Sequence, residues 1–331
     1  MSELPGVTIS MISFNDEAII RPCLQSIRDQ DYPQDSVFIQ LFDGGSTDNT
    51  VKIAEEFGAT VIRRPDLRHT PNKRSAMALV EGHTDLRIFF SADNRFGSRV
   101  TLRKMVQAQE RHKSLGLVTT RYAIVKEHKA LSRYFALIGG SDPLVVFLGL
   151  NDRLAYDQSD LHPYGDILYE DDATFLLKFD RRQHLFPTLG ANGFLYSARD
   201  YTQSESARRA LHIDMCFEAN LTSERGFIFL RDETIHHKID TPLFDFVKRR
   251  VFFASIYSED DHQRSYEIYN PQTRFRCLLF VLFSILVLPN LVRSLKGFIH
   301  TPDLAWFLHP IVCLAYAIGY CRLYFVKKFR S

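Results

Sequence analysis

Three short polar clusters stand out in the N-terminal third of the chain, each directly after a β-strand-like run. They are Ser13-Phe14-Asn15, Asp43-Gly44-Gly45-Ser46 and Ser91-Ala92-Asp93-Asn94. Carboxylate, amide and hydroxyl oxygens of this kind can bind a hard cation or orient a polar ligand. The same residue types also form ordinary turns, and for each cluster alone a turn is an equally good interpretation. Three such clusters at three strand ends together favour a shared ligand site.

The segments that must position these clusters alternate between strand-like and helix-like patterns. The predicted strands are Val7–Ser13, Val37–Asp43, Thr60–Ile62 and Leu86–Ala92, and the predicted helices are Asp16–Gln30, Thr47–Phe57 and Asn72–Glu81. This alternation predicts a parallel sheet covered by helices on both faces, with ligands bound beyond the carboxyl ends of the strands. The first strand is followed by neither a Gly-x-Gly-x-x-Gly turn nor a phosphate-binding Gly-Lys-Ser/Thr loop, which argues against dinucleotide and P-loop chemistry.

Four spaced motifs carry a more specific signal. They are an Asn-x-Glu loop, a Ser-Ile-x-x-Gln helix, a Tyr-Pro turn and an Asp-x-Gly-Ser-Thr-Asp loop, all between Val7 and Ile62. In this combination the chain resembles family 2 glycosyltransferases of the GT-A fold, continuously to about Phe96 and more thinly at Gly190–Gly193, Asp214 and His236–Lys238. The resemblance implies a GT-A-type, mostly parallel sheet with flanking helices, and transfer of a sugar from a nucleotide-sugar donor.

The resemblance also implies a divalent metal, Mn²⁺ or Mg²⁺, at the third cluster. Family members carry an Asp-x-Asp motif after the fourth strand, and the matching tripeptide here is Ser91-Ala92-Asp93. Asp93 is therefore expected to bind the metal, which bridges the donor diphosphate and stabilises its departure. In a rival registration Asn94 is a secondary ligand. His237 matches a position that completes the metal shell or contacts the diphosphate, and a structural role is its alternative.

The donor-binding residues follow from the same resemblance. Asp43 matches the acid that accepts a hydrogen bond from the nucleobase, although the acid that follows it in the family is Gly44 here. The first loop faces the nucleoside, and its candidates are Ser13, Asn15 and Glu17. Lys73 and Arg74 match a basic position near the diphosphate, with an ordinary solvated helix start as the alternative. Cations at the start of a helix oppose its dipole, which favours a role other than helix stability.

The acceptor side of the expected site lies further along the chain. Asn192, in a Gly-Ala-Asn-Gly segment, matches the part of the family that contacts the donor sugar and the acceptor. Asp214 falls where the family carries its catalytic base, although the acid that precedes it in the family is Ile213 here. In an inverting displacement this carboxylate removes a proton from the attacking hydroxyl. Glu218, one helical turn on, is the second candidate, and an exposed helix pair is the alternative for both.

Composition sets the broad class. Apolar residues make up 45% of the 331 residues and charged residues 24%, which excludes a disordered chain. The net charge of +2 gives no general attraction for nucleic acid. The five cysteines form no Cys-x-x-Cys pair, which argues against a disulfide framework or a zinc finger and fits a reducing compartment.

The C-terminal residues differ from this average. Residues 270–331 contain eight lysines and arginines and one aspartate, and include two uncharged apolar stretches, Cys277–Val292 and Leu304–Cys321. These stretches predict a C-terminal hydrophobic helical hairpin in a membrane, with the basic flanks and the catalytic domain on the cytoplasmic face. The first stretch is short and contains Pro289, so a monotopic, partly inserted hairpin is the alternative. The predicted division is a catalytic domain at 1–240, an amphipathic juxtamembrane segment at 241–270 and the hairpin at 271–331.

Together these features predict a membrane-attached, nucleotide-sugar-dependent glycosyltransferase that acts on a membrane lipid or a lipid-linked glycan. Processive synthases of the family carry a Gln-x-x-Arg-Trp motif, whereas the corresponding region here reads DFVKRRVFFAS, so single addition is expected. A catalytically silent nucleotide- or glycan-binding membrane protein is the alternative, since Ser91, Gly44 and Ile213 replace family acids. A nucleotidyltransferase is a third interpretation, disfavoured by the missing glycine-rich basic loop.

Overall fold

The computed structural model of the chain describes residues 4–68, 71–159, 165–180, 186–189, 192–201, 212–259 and 271–328. They group into two compact units. The first unit is formed within 1–123, 161–183 and 188–237, and the second within 124–160, 184–187 and 238–331. The last stretch of the second unit begins at residue 238, close to the predicted limit at 240, and the segment at 124–160 groups with it. Those limits stay a prediction about composition.

The first unit contains a large mixed sheet. Its strands are β1 (Val7–Ser13), β2 (Val37–Asp43), β3 (Thr60–Arg63), β4 (Leu86–Phe89), β5 (Asn94–Phe96), β6 (Gly116–Tyr122), β7 (Gly165–Glu170), β8 (Thr174–Phe179), β9 (Phe194–Ser197) and β10 (Phe227–His237). The order is β3-β2-β1-β4-β9-β6-β10-β8-β7, with β5 paired to β10. Seven of the ten described strands, β1, β2, β3, β4, β6, β7 and β10, run in one direction, which confirms the predicted mostly parallel sheet.

The described helices are α1 (Glu17–Arg28), α2 (Thr50–Glu56), α3 (Pro71–Val80), α4 (Thr101–His112), α5 (Ala130–Leu137), α6 (Pro143–Leu148), α7 (His212–Thr222), α8 (Leu243–Glu259), α9 (Pro271–Leu286), α10 (Leu288–His300) and α11 (His309–Lys328). In the first unit α1 follows β1 and buries Ile20, Cys23, Leu24 and Ile27. Their spacing places all four on one helical face, so α1 packs on the sheet while its polar face stays in water.

Strand register brings the three polar clusters to one edge. Ser13 lies opposite Asp43 in the β1–β2 pair, and Ser10 lies opposite Phe89 in the β1–β4 pair. Ser13 is three residues beyond Ser10, so it leaves the sheet level with the residues that follow Phe89. The carboxyl ends of β1, β2 and β4 therefore meet there, as parallel pairing requires.

The second unit is helical and has its own core. It contains α5, α6, α8, α9, α10 and α11, with a short 3-10 turn at Leu304–Leu308. Trp306, Tyr134 and Tyr316 are fully buried within it. Gly297 of α10 lies directly against the Trp306 ring, since an added Cβ would come within 2.5 Å of ring atoms. The C-terminal helices therefore belong to a packed unit that includes α5 and α6.

Length and composition identify membrane candidates in this unit. One segment, Leu304–Val326, is long and apolar enough to cross a membrane, and 39% of it is buried within the protein. The segments Thr273–Leu286 and Leu288–His300 pass the same test only together, and they are bent by 86° at their junction. The expected C-terminal apolar helices are thus present, although an apolar helix packed inside a soluble protein can meet the same criteria.

Candidate active site

The first two strand-end loops are tied to each other. Asn15 adopts a left-handed conformation with φ of 55°. Its backbone N–H donates to Ser46 Oγ at 2.9 Å, and its side-chain oxygen accepts the Thr47 N–H at 2.9 Å. Asparagine tolerates this backbone region better than most residues. In this arrangement Asn15 holds the second loop, and its predicted contact with a nucleoside stays a prediction.

Glu17 makes the second tie between these loops. Its carboxylate accepts the Asn49 backbone N–H at 3.0 Å and the Asn49 side-chain N–H at 2.7 Å. These hydrogen bonds lower the pKa of the Glu17 carboxyl. Glu17 is exposed, so it remains at the surface of the predicted nucleoside site.

Asp16 is a residue of this site that the sequence reasoning missed. Its carboxylate accepts the Ser13 hydroxyl at 2.7 Å and the Phe14 N–H at 3.2 Å, which turns the chain sharply after β1. Burial raises the pKa of the Asp16 carboxyl, and the nearby Asp93 charge adds to this effect, whereas the two hydrogen bonds oppose it. The Asn-Asp-Glu sequence of the loop was the available signal. Ser13 itself is buried, and its hydroxyl orients Asp16.

Asp43 is fully buried at the end of β2 and organises its own loop. Its oxygens accept the Gly45 N–H at 2.9 Å, the Ser46 N–H at 3.0 Å and the Ser46 hydroxyl at 2.5 Å. The carboxylate therefore shapes the Asp-Gly-Gly-Ser turn in this conformation. Its predicted hydrogen bond to a nucleobase remains untested.

Arg74 lies against Gly44 at the same edge. The Arg74 residue is only 4% exposed, and its Nη1 donates to the carbonyl oxygens of Leu67 and Arg68 at 2.7 and 3.0 Å. A Cβ added at Gly44 would lie 2.4 Å from Nη1, so the guanidinium fills the space that a side chain there would need. Burial lowers the pKa of Arg74, and the Asp43 and Asp16 charges oppose this shift. The side chain of Lys73 lies outside the described part of the chain.

Asp93 and His237 meet although they are far apart in sequence. His237 Nε2 lies 3.1 Å from Asp93 Oδ2, and both side chains are partly exposed. The contact arises because β10 pairs antiparallel with β5, which places His237 opposite Asn94. The two residues predicted as metal ligands are thus brought together by the sheet.

Beside this pair, hydrogen bonds link Asn94, the residue after Asp93, to the Gly-Ala-Asn-Gly segment. The Asn94 side-chain N–H donates to Asn192 Oδ1 at 2.8 Å, and the Asn192 side-chain N–H donates to the Tyr122 hydroxyl at 3.0 Å. The Tyr122 ring in turn packs 5.5 Å from the His237 ring. Asn192 has a left-handed φ of 52° and is followed by Gly193 at 79°. Tyr122 is a second residue that sequence reasoning missed, because nothing local to it signals the contact.

Asp214 lies in the first turn of α7 and is fully buried. The last turn of α7 is held by Lys178, whose ammonium group donates to the Asn220 and Ser223 carbonyls. A sugar hydroxyl reaches the Asp214 carboxylate only if the groups that cover it move. Glu218 is half-buried on the same helix. Which of the two acts as a base stays a prediction.

The residues at this edge fit a metal that also binds the substrate. Within the described part of the chain, no group of three or more His, Cys, Asp or Glu side chains is placed to hold a metal ion by itself. The Asp93–His237 pair supplies two donors on one side. Mg²⁺-type ions are commonly bound by one or two carboxylates, with substrate phosphates and waters as the remaining ligands. The pair therefore suits a cation held jointly with a diphosphate and is too small for a closed structural site.

A comparison with known protein families decides the assignment. Residues 8–155 match the model of the family described as Glycosyl transferase family 2. The chain carries a family 2 glycosyltransferase domain. The match contains the three strand-end clusters, Arg74 and Asp93, so the residues that carried the resemblance lie within it.

Solved structures are similar to this chain in fold. A mannosyltransferase from Pyrobaculum calidifontis, in complex with GDP-Man and Mn²⁺, is 12% identical, with a TM-score of 0.53 over 96% of this chain and 87% of that chain. TarS residues 1–349 from S. aureus are 14% identical, with a TM-score of 0.49 over 98% of this chain and 92% of that chain. The first of these likenesses supports the fold, and the expected GT-A-type fold is confirmed.

The curated relative matches over a short segment. It is a dolichyl N-acetyl-alpha-D-glucosaminyl phosphate 3-beta-D-2,3-diacetamido-2,3-dideoxy-beta-D-glucuronosyltransferase from Methanococcus voltae, 40% identical over 50 residues. The segment spans 15% of this chain and 16% of the relative. It therefore supports the family, and the substrates of the relative do not follow for this chain.

Proposed function

We propose that this protein transfers a sugar from a nucleotide-sugar to a membrane lipid or a lipid-linked glycan, by a single, inverting, metal-assisted addition. The observation that carries the proposal is the Asp93–His237 pair at the carboxyl edge of the sheet, 3.1 Å apart within reach of the loops of a family 2 domain. Buried or half-buried acids and an imidazole converging at such an edge are typical of a catalytic site.

The donor occupies the edge formed by the ends of β1, β2 and β4. The loops that carry Asn15, Glu17 and Asp43 surround the nucleoside, and Arg74 faces the diphosphate with a fixed guanidinium. Lys73 adds a second positive charge in the same helix turn. Asp93 and His237 would hold Mn²⁺ or Mg²⁺, which supplies positive charge to the departing diphosphate. The GDP-Man and Mn²⁺ of the Pyrobaculum calidifontis structure are consistent with this chemistry.

The acceptor attacks from the side of the Gly-Ala-Asn-Gly segment. Asp214, or Glu218 in its place, takes the proton from the acceptor hydroxyl. The bond between this oxygen and the anomeric carbon forms while the bond from that carbon to the diphosphate breaks, so one displacement inverts the anomeric centre. Asn192, fixed between Asn94 and Tyr122, positions the donor sugar.

A lipid-borne acceptor is proposed from the C-terminal helices and from the curated relative. The name of the Methanococcus voltae relative describes a transferase that acts on a dolichyl-linked sugar phosphate. The apolar segment Leu304–Val326 and the basic residues around it suit attachment to a membrane. We place the catalytic domain on the cytoplasmic face, where basic flanking residues are enriched.

The test uses the full-length protein with membrane lipids from its host. Radiolabelled UDP-, GDP- and dTDP-sugars are supplied with Mn²⁺ or Mg²⁺, and lipid and aqueous products are separated by chromatography. We expect label to enter the lipid fraction only with metal, and Asp93→Ala to prevent it. The surface variant Leu168→Ala, in β7, is the matched control.

The outcomes separate the two functions left by the sequence. Donor hydrolysis without a labelled lipid product supports a glycosyltransferase but contradicts the proposed lipid acceptor. Nucleotide binding with neither transfer nor hydrolysis of any donor supports the catalytically silent binding protein instead.

A further inference from the structure

Helix α10 has its polar and apolar faces reversed relative to a helix of a soluble protein. On α10 the exposed apolar side chains are Leu288, Leu291, Val292, Leu295 and Ile299. Its buried positions are Asn290, Ser294 and Gly297. Small and polar residues at helix contacts, with apolar residues outside, are typical of helices surrounded by lipid. Water alone would favour the opposite arrangement.

The neighbouring helices also expose apolar side chains, although they bury apolar residues such as Phe280 and Val312 as well. The exposed apolar residues are Phe275, Leu278, Leu282, Ile285 and Leu286 on α9, and Ile311, Leu314, Ile318 and Phe325 on α11. Buried polar groups of α11 are bonded within the second unit. His309 Nδ1 lies 2.7 Å from the Tyr134 hydroxyl, and the Tyr316 hydroxyl donates to the Ser141 carbonyl at 2.6 Å. These contacts hold two polar groups of α11 inside the second unit.

Two ion pairs join α10 and the residues that follow it to the segment 124–160 of the same unit. Arg293 Nε lies 3.4 Å from Asp157 Oδ2, and Arg133 Nε lies 2.9 Å from Asp303 Oδ2. A hairpin that crosses a membrane twice would place residues 293–303 on the far side. Arg133 and Asp157, however, belong to the segment 124–160 that directly follows the sheet strand β6. The helices α5 and α6 of that segment have 8 and 6 residues, too few to cross.

Helix geometry also disfavours a crossing by α9 and α10. The 16 residues of α9 reach about 24 Å at the usual helical rise, short of the ~30 Å hydrocarbon core. At Val287, which has a φ of 61°, the chain turns by 86° into α10. The bend exposes four consecutive apolar residues, from Ile285 to Leu288. Helix α10 therefore runs nearly perpendicular to α9.

Charge indicates which surface covers this face. Arg274, Lys296 and Arg322 are exposed on α9, α10 and α11. Asp303 is the one acidic residue in 271–331, and it is paired with Arg133. An apolar face bordered by cations complements the hydrocarbon and headgroup layers of an anionic leaflet.

We propose that α9 and α10, packed against α11, are embedded in a single leaflet of an anionic bilayer and that these two helices do not cross it. The residues before α9 and the connection between α10 and α11 then lie on the same side as the catalytic domain. This inference rests on the exposed faces and ion pairs of the second unit and is independent of the proposed transfer reaction.

The sidedness of Lys296 tests the proposal directly. Lys296→Cys and, as a reference on the first unit, the exposed α2 position Lys52→Cys are made in full-length protein that also carries Cys277→Ser and Cys321→Ser. A membrane-impermeant maleimide is applied to inverted and right-side-out vesicles from expressing cells. We expect both positions to be labelled in the same vesicle type. Labelling of Lys296→Cys in the opposite vesicle type overturns the proposal.

Vesicle binding tests the lipid face. Purified protein is mixed with vesicles of phosphatidylcholine, with or without phosphatidylglycerol. Binding should be stronger with phosphatidylglycerol, and Leu288→Glu with Leu291→Glu should reduce the bound fraction at least about tenfold, because two exposed apolar side chains no longer enter hydrocarbon. Leu168→Glu, at a 49% exposed position of β7, is the matched control.

Two results would contradict the lipid assignment. Unchanged vesicle binding by the double glutamate variant, with the melting transition intact, excludes this face as the attachment surface. The other result is a dimer that is soluble without detergent and does not bind vesicles. If the double glutamate variant dissociates this dimer, a second copy of the chain, and not lipid, covers the apolar face.

Discussion

Gly44→Ala should weaken nucleotide binding by displacing Arg74. The added Cβ would lie 2.4 Å from Arg74 Nη1, whereas ordinary contacts begin near 3.4 Å, so the guanidinium must move by about 1 Å. That shift disturbs its hydrogen bonds to the Leu67 and Arg68 carbonyls, which are 2.7 and 3.0 Å long. If Arg74 contacts the diphosphate, loss of this charged hydrogen bond corresponds to ~1.5–3 kcal/mol, or about a tenfold to hundredfold rise in Kd.

A double-mutant cycle isolates this effect. Calorimetric titration of UDP and GDP with Mn²⁺ is carried out on Gly44→Ala, Arg74→Ala and the double variant. Because Gly44→Ala acts through Arg74, the double variant should bind no worse than Arg74→Ala alone. Gly82→Ala is the matched control, since its Cβ would approach Arg87 Nε at 2.9 Å, but before β4 and away from the carboxyl edge. It should leave nucleotide affinity unchanged.

Additive losses in this cycle would refute the reasoning, because they would mean that Gly44 affects binding without Arg74. The same applies if Gly44→Ala binds both nucleotides as the parent does while the Gly82→Ala control also behaves as the parent.

The remaining predictions concern the acids of the site. Asp93→Ala should abolish metal-dependent nucleotide binding and leave the melting transition in place. Chelation of the metal should have the same effect on the parent protein. An unchanged metal dependence in the variant would mean that Asp93 is not a metal ligand. Asp214→Asn should leave donor binding nearly unchanged and reduce transfer about a hundredfold or more, whereas full transfer by this variant with an inactive Glu218→Gln reverses their roles. Asp43→Ala should weaken nucleotide binding by ~1–3 kcal/mol. It should also lower the melting temperature, because the Asp43 oxygens accept the Gly45 and Ser46 N–H groups. A variant with the parental melting temperature and affinity argues against both roles.

Local pattern sufficed for the parallel half of the sheet. β1 and β2 have the predicted bounds, Val7–Ser13 and Val37–Asp43. The fourth predicted strand extended to Ala92, but β4 ends at Phe89 and its continuation bends into the third cluster. The error arose because Phe90 and Ala92 are apolar and buried, and burial is shared by strands and by tight turns under a core.

The contacts that assemble the site were beyond local pattern. Asp93 meets His237 across 144 residues, and Asn192 meets Tyr122 across 70. Both contacts depend on the position of β10 and β9 in the strand order, which periodicity does not encode. The family resemblance supplied the identities of Asp93, His237 and Asn192, whereas Tyr122 and Asp16 emerged only from the geometry.

The C-terminal helices show why hydrophobicity alone gave an incomplete answer. An apolar stretch predicts contact with hydrocarbon or with a protein core, and it does not say on which side the polar groups lie. The ion pairs Arg293–Asp157 and Arg133–Asp303 supply that information, because each links α10 or the residues after it to the segment 124–160 of the same helical unit. Charged pairs of this kind remain stable beside lipid only where protein or headgroups, rather than acyl chains, surround them. The exposed apolar faces of α9 and α10 and the polar contacts behind them are therefore two parts of one arrangement, and it is this arrangement that the single-leaflet proposal requires.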